Sequence, residues 1–134
     1  MSTFLLEIVT PERIVYTQNV HMVSVDGIEG QLGILPNHIP FVTPLKIAPA
    51  TIKLENGKQD IVALNGGFME VRKDKVVILA ESAELPGDID IERAKSAKER
   101  AEKRLTGKKD EADFQRAELA LKRALNRIGV YEQK

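Results

Sequence analysis

Arginines in the C-terminal third of this sequence recur at a fixed spacing that could serve anion binding. Two sets share positions i, i+7 and i+11: Arg93, Arg100 and Arg104, then Arg116, Arg123 and Arg127. At 3.6 residues per turn, each set would line one side of a helix. Guanidinium groups bind phosphate oxygens in bidentate fashion, so stripes converging from two antiparallel helices would suit a polyphosphate.

A purely structural explanation of the same charges is also available. Oppositely charged residues four apart, such as Glu99 with Lys103 and Glu118 with Lys122, support exposed helices. Charged surface helices are common, and spacing alone favours this structural interpretation over a binding site.

The sequence offers little for catalysis or metal binding. His21 and His38 have no partner at metal-ligand spacing, and His38 fits a loop or contact residue better than a catalytic base. Neither a glycine-rich phosphate loop nor a nucleophile with a nearby base is recognisable. We therefore expect a non-catalytic chain without a metal site, and a stand-alone nucleotide hydrolase is disfavoured.

Composition excludes further classes. The 134 residues carry 20 basic and 20 acidic side chains, which argues against a dedicated nucleic-acid binder. The chain has no cysteine, so disulfides and thiolate metal sites are excluded. No apolar run approaches the roughly 20 residues of a membrane span, and Glu7 interrupts the only apolar start. We expect a soluble chain that reaches membranes only through partners.

The pattern of the chain changes at Pro86-Gly87. Residues 1–87 alternate like about nine or ten short strands, with Pro36, Pro40, Pro44 and Pro49 expected at edges or in loops. Glu55–Lys58 predicts a hairpin, and Asn65–Gly67 predicts another turn. This favours an α+β fold, in which an antiparallel β-sandwich or flattened barrel over 1–87 precedes an antiparallel helical hairpin over 88–134.

The hairpin that carries the arginines is predicted to have a seam of small residues. Asp88 or Asp90 would cap a first helix ending near Leu105, and a polar connector, Thr106–Asp110, leads to a second helix over about Glu111–Ile128. Heptad-like spacing assigns the seam to Ala94, Ala97, Ala101 and Leu105 on one helix, and to Phe114, Ala117, Leu121, Ala124 and Ile128 on the other. Alanine seams bury little apolar surface, so the pair should need the sandwich, a ligand or another protein to hold it.

Five segments carry a family resemblance: Met22–Val25, Gly30–Pro36, His38–Pro40, Gly66–Val71 and Arg116–Ala124. Together they resemble the ε subunits of bacterial F-type ATP synthases over nearly the whole chain, and the second half is most similar to those of thermophilic bacilli. The resemblance implies a non-catalytic rotor subunit at the cytoplasmic face of the cell membrane. Its sandwich would contact the γ subunit and the c-subunit ring, with Glu29, Gln31 and His38 at the ring-facing edge.

The resemblance also implies regulation by the helices. Folded on the sandwich they would permit activity, and extended among the α and β subunits they would obstruct ATP hydrolysis. Some members bind ATP on the folded hairpin through an Ile/Leu-Asp-x-x-Arg-Ala motif, which is intact here. By similarity, the ATP-binding residues are Glu84, Ile89, Asp90, Arg93, Ala94, Arg100, Arg123 and Arg127.

Two points stay open on the resemblance. Mg²⁺ could accompany the nucleotide, although binding by arginines does not require it, and Arg104 and Arg116 are not part of the matched motif. The alternative is a constitutive structural stalk subunit that binds no nucleotide, in which the motif survives through intrahelical pairing of Asp90 with Arg93.

Overall fold

A computed structural model describes residues 2–107 and 110–133. The predicted connector Thr106–Asp110 therefore lies in part, at 108–109, outside the described residues. The strands are β1 Phe4–Val9, β2 Ile14–Val20, β3 Met22–Gly27, β4 Gly30–Ile34, β5 Phe41–Lys53, β6 Gln59–Val71, β7 Lys75–Ala80 and β8 Ala83–Glu84. A short 3₁₀ turn, Pro86–Asp88, leads to helices α1 Ile91–Thr106 and α2 Glu111–Glu132.

The strands form one open sheet folded around an apolar core. Its order is β2-β1-β7-β6-β5-β3-β4, and β8 pairs with β6. All pairs are antiparallel except β1 with β7. Alternating β-branched and aliphatic residues, among them Leu6, Val23, Ile52 and Ile78, are fully buried in this core. The predicted sandwich followed by two helices is confirmed, with eight strands in the described residues instead of about ten.

The strands are fewer and longer because β6 runs through the predicted turn at Asn65–Gly67, and β5 runs through much of the proline-containing stretch. Pro44 and Pro49 lie within β5, paired with residues of β6, so their expected place at edges or in loops is wrong. The register between β3 and β5 shifts between Ser24 and Gly27, and Pro49 lies opposite this irregularity. A proline that donates no hydrogen bond is tolerated where the ladder is already broken.

The predicted turn at Asn65–Gly67 is also wrong, because β6 continues through it. Gly66 and Gly67 have φ angles of 81° and 136° inside the strand. A Cβ added at Gly67 would lie 2.1 Å from the carbonyl oxygen of Leu79 on β7. Glycine thus lets the strand change direction and approach its neighbour closely, where the sequence pattern indicated a chain reversal.

Both helices begin at capping aspartates. Asp90 Oδ1 accepts a hydrogen bond from the Arg93 backbone N–H at 3.1 Å, and Asp110 accepts one from Asp113 at 2.8 Å. The seam between the helices buries four alanines: Ala94, Ala101, Ala117 and Ala124. Phe114, assigned to the seam from its spacing, lies in the first turn of α2 and is 45% exposed.

The hairpin is folded against the sandwich through α2. Ile89 and Val130 pack with Ala63 of β6 in an apolar cluster separate from the main core, with Ile61 and Tyr131 at its border. Asn126 Nδ2, buried in the same interface, donates a hydrogen bond to the Leu64 carbonyl at 2.9 Å. The first helix packs mainly on α2, so α2 is the layer between α1 and the strands. Within the described ranges, neither helix is long and apolar enough to cross a membrane.

Candidate functional site

A cleft of about 650 Å³ opens where α1 begins beside the sandwich. Its volume falls within the range of about 300–1,000 Å³ that is usual for small-molecule sites. The walls come from the β1–β2 turn, the β7–β8 turn, the first turns of α1 and one residue of α2. They are lined by Thr10, Glu12, Arg13, Val15, Glu81, Ser82, Ala83, Glu84, Asp88, Asp90, Arg93, Ala94, Ala97, Arg100 and Arg127.

Arg93 and Arg100 supply the unpaired positive charge of the cleft. They lie on one side of α1, about 10 Å apart along its axis, and both line the cleft. Neither makes an ion pair with any carboxylate of residues 2–107 and 110–133. Between them Ala97 is small enough to leave the space open. Two of the three arginines predicted to share one side of the first helix, Arg93 and Arg100, thus line the same space.

Arg127 reaches the cleft from α2 and is already paired. Its Nε donates to Glu84 Oε1, and the two side chains are only 29% and 26% exposed. This pair also joins the last turns of α2 to β8, which is part of the sandwich. Arg127 and Glu84, both expected from the resemblance to bind ATP, therefore lie together in the cleft as partners of each other.

Three residues of the sequence motif have structural tasks in this conformation. Asp90 caps α1 through a backbone N–H, which differs from the side-chain pairing with Arg93 considered above. Ala94 is buried in the helix seam, although it also borders the cleft. Ile89 is buried against Ala63 and lies outside the cleft lining. Of the motif, the Arg93 side chain makes no hydrogen bond or ion pair with residues 2–107 or 110–133.

The second arginine stripe does not converge on the cleft as a whole. Arg123 is half-buried and outside the lining, one helical turn before Arg127. Arg104 lies on α1 beyond the cleft, and Arg116 pairs with Asp113 on the surface of α2. Because the helices are antiparallel, only the start of α1 and the end of α2 meet the sandwich edge. Of the surface pairs predicted, Glu118 with Lys122 is present at 3.9 Å.

Arg13 and most of the acidic lining were not predicted from the sequence. Arg13 Nη2 lies 3.9 Å from Asp88 Oδ2, across the cleft's entrance. Four arginines line the cleft against five carboxylates, from Glu12, Glu81, Glu84, Asp88 and Asp90. In the sequence, Arg13 is marked only by its place beside Pro11-Glu12, a pair typical of turns, since its ion-pair partner Asp88 lies 75 residues away.

The predicted ring-facing residues separate into two places. Glu29 and Gln31 line a shallow groove of about 390 Å³ together with Phe41 and Val42. His38 lies outside this groove, with its ring edge-to-face against Phe4 at a centroid distance of 5.4 Å. Phe41 and Val42, which line the groove, are exposed apolar side chains, and so is Ile28, next to Glu29 in the chain. Such a patch is typical of a surface that another protein covers.

Tyr16 stands apart from both sites. Burial, reinforced by a hydrogen bond from its Oη to Asp60 Oδ2 at 2.7 Å, raises the pKa of Tyr16 well above its usual range. The bond ties β2 to β6 and serves the fold. Among the described residues no group of histidines and carboxylates could hold a metal ion.

Comparison with known protein families gives two matches that together span most of the chain. Residues 3–86 match the family described as ATP synthase, Delta/Epsilon chain, beta-sandwich domain. Residues 88–132 match the long alpha-helix domain of the same chain type.

Named relatives are similar over most of their length. A protein of Brevibacillus brevis named ATP synthase epsilon chain is 62% identical over 113 residues, which is 84% of this chain and 86% of the relative. One of Halalkalibacterium halodurans, with the same name, is 56% identical over 131 residues, 97% of this chain and 98% of the relative.

Two solved structures share the fold. A chain in the mitochondrial ATP synthase of Euglena gracilis (OSCP/F1/c-ring) superposes with a TM-score of 0.80 at 24% identity, over 99% of this chain and 81% of that one. A chain in the central stalk/c-ring of the Tetrahymena thermophila enzyme gives 0.57 at 16% identity, over 96% and 93%.

Proposed function

Since this chain belongs to the delta/epsilon chain family of ATP synthases, we propose that it is a non-catalytic rotor subunit of a bacterial proton-translocating F-type enzyme. Its sandwich would join the γ subunit and the c-subunit ring in the central stalk, with the apolar end around Glu29 and Gln31 covered by partners. The chain would be held at the cytoplasmic face of the membrane through this assembly. Rotation would then be coupled to ATP synthesis by the complex, not by chemistry in this chain.

Within that role, the cleft binds ATP as a regulatory ligand. The observation that carries this proposal is the pair of unpaired guanidinium groups, Arg93 and Arg100, beside a space of nucleotide size. An arginine that lines a partly enclosed cleft and makes no ion pair is well suited to bind phosphate oxygens. Charge-assisted hydrogen bonds to such oxygens are the strongest that a guanidinium group can make. Arg127 would contribute a third contact once phosphate competes with Glu84.

The acidic residues that line the cleft affect how strongly a charged nucleotide can bind. Five carboxylates against four arginines give the lining a formal charge of −1, so a highly charged nucleotide enters against some repulsion. Mg²⁺ bound to the phosphates would reduce that repulsion without needing protein ligands. Asp90 and Glu84 would face the nucleoside end, while Ile89 would act indirectly by fixing the start of α1.

ATP binding would stabilise the folded hairpin, because the cleft exists only while α1 lies beside the sandwich. A ligand that binds one conformation shifts the equilibrium toward it by RT ln(1 + [L]/Kd). When ATP is scarce, the helices would leave the sandwich, enter the αβ hexamer and inhibit hydrolysis. The docking contacts of α2 are few, namely the small apolar cluster around Val130, the Asn126 hydrogen bond and the Arg127 ion pair, so this release is energetically accessible.

A second candidate function rests on a specific observation. Asp90, Ala94 and Ile89 are all accounted for by capping and packing, so the motif could persist in a stalk subunit that binds no nucleotide. The two candidates differ in what they predict for Arg93 and Arg100, whose guanidinium groups contribute no ion pair to the described fold.

Calorimetric titration of the isolated full chain with ATP separates these candidates. Arg93→Gln and Arg100→Gln should each weaken binding about tenfold or more, since a charge-assisted hydrogen bond contributes about 1.5–3 kcal/mol. Arg104→Gln, on the same helix but outside the cleft, is the matched control and should bind normally. Absence of binding by the unmodified chain, or equal affinities in all variants, would leave only the structural role.

A further inference from the structure

We propose that Arg13 is an additional phosphate-binding residue, so that bound nucleotide links the sandwich directly to α1. This inference rests on the proposed function and extends it to a residue outside the helices. Arg13 lines the cleft from the β1–β2 turn, and Arg93 and Arg100 line the same cleft from α1. Three arginines from two separate structural layers then surround the same space.

The turn that carries Arg13 is held in place by its own hydrogen bonds. The Thr10 backbone N–H donates to the Arg13 carbonyl at 2.9 Å, and the Thr10 hydroxyl oxygen accepts from the Arg13 backbone N–H at 3.3 Å. The same hydroxyl oxygen accepts from the Glu12 N–H at 3.3 Å. The backbone of Arg13 is thus fixed, and its long side chain starts from a defined point at the mouth of the cleft.

The ion pair that Arg13 makes is easily exchanged for a ligand. Its Nη2 lies 3.9 Å from Asp88 Oδ2, and the two side chains are 56% and 50% exposed. Exposed pairs at this separation contribute little, because water and salt screen them. A polyphosphate offers several oxygens for bidentate bonding, so it can displace the single distant carboxylate.

The position of Arg13 changes how the ligand would hold the hairpin. The first helix packs mainly on α2 and has few contacts of its own with the strands. A phosphate chain bound by Arg13 and Arg93 would span the cleft and tie α1 to the sandwich without passing through α2. With ATP bound, both helices would be restrained: α2 by its docking cluster and α1 by the ligand.

The test uses ATP titration of the isolated full chain with Arg13→Gln and a matched control. Arg72→Gln removes the same charge from the sandwich, at a site paired with Glu70 and outside the cleft. Arg13→Gln should weaken ATP binding about threefold to tenfold, and Arg72→Gln should leave it unchanged. Asp88→Asn should tighten binding, because it frees Arg13 and removes a negative charge from the lining.

The outcomes distinguish this inference from the proposed function. If the unmodified chain binds ATP and Arg13→Gln binds equally well, the role of Arg13 is refuted while the ATP site stands. If Arg13→Gln and Arg72→Gln weaken ATP binding equally, the change in net charge explains the weakening, and the role of Arg13 is also refuted. If the unmodified chain binds no ATP, both ideas fail together. Arg13→Lys, which keeps the charge on an intact turn, should retain part of the affinity if Arg13→Gln is poorly folded.

Discussion

Truncation of Val130 to alanine tests whether the hairpin is held on the sandwich by one small cluster. Val130 is 1% exposed and packs with Ala63 and Ile89, away from the main core. Val130→Ala removes two methyl groups, worth about 1.6 kcal/mol at about 0.8 each, and a residual cavity can raise this to about 2.5 kcal/mol. The docking equilibrium of the helices should then fall roughly fifteenfold to sixtyfold, since 1.4 kcal/mol is a factor of ten.

Hydrogen exchange followed by mass spectrometry gives the required regional readout. In Val130→Ala, amides of α2 and α1 should exchange faster by about that factor, while amides of β5 and β6 keep their protection. Val76→Ala is the matched control, because it removes the same two methyls from a fully buried position of the sandwich core. It should lower the protection of the strands and leave that of the helices, which exchange through undocking of the hairpin, unchanged.

Nucleotide adds a second arm to the experiment. Apparent ATP affinity falls in proportion to the fraction of molecules that are folded for binding. Val130→Ala should therefore weaken ATP binding only when docking is marginal, and saturating ATP should restore helix protection. If Val130→Ala instead lowers the protection of strands and helices equally, the hairpin and the sandwich unfold as one cooperative unit. The hairpin would then not be released on its own.

Three other substitutions probe the interface and the sandwich. Asn126→Ala leaves the Leu64 carbonyl without its hydrogen bond and should cost about 1–2 kcal/mol of helix docking, seen as faster exchange in both helices. Tyr16→Phe should cost about 1–2 kcal/mol at pH 8. Folding raises the pKa of Tyr16. The Tyr16 hydroxyl therefore makes its full contribution to the free energy of unfolding below a pH of about 10, and this contribution declines at higher pH. Denaturant unfolding at pH 8 and 10.5 should thus show a smaller difference at the higher pH, and an unchanged difference would contradict this. Gly67→Ala should cost more than about 3 kcal/mol of unfolding free energy, whereas Gly57→Ala, with positive φ but open space around it, should cost about 1 kcal/mol.

The two-part fold was predictable because local signals agreed with it. Alternating residues specified strands up to Pro86-Gly87, and Asp90 with an alanine periodicity specified the start and seam of α1. The long strands β5 and β6 were not predictable, since Pro44 and Gly67 are breakers when only their neighbours in sequence are considered. Their partners across the sheet override that local preference.

The candidate site was predictable only on the first helix. Spacing placed Arg93 and Arg100 on one side of α1, and helix geometry alone ensures this. Which residues of α2 reach the cleft depends on how the hairpin tilts onto the strands, so Arg127 enters and Arg123 does not. Arg13 comes from a turn distant in sequence, and no periodicity could assign it.

The apolar cluster on Ala63 has a mechanical consequence. Ile89, just before α1, and Val130, near the end of α2, both pack on Ala63 of β6, close to where Asn126 bonds to Leu64 and Arg127 pairs with Glu84. If the last turn of α2 leaves the strands, Ile89 becomes exposed and the start of the first helix is loosened at the same time. Detachment should therefore begin at the base of the hairpin and carry both helices away together, whereas opening from the tip would leave the anchor intact.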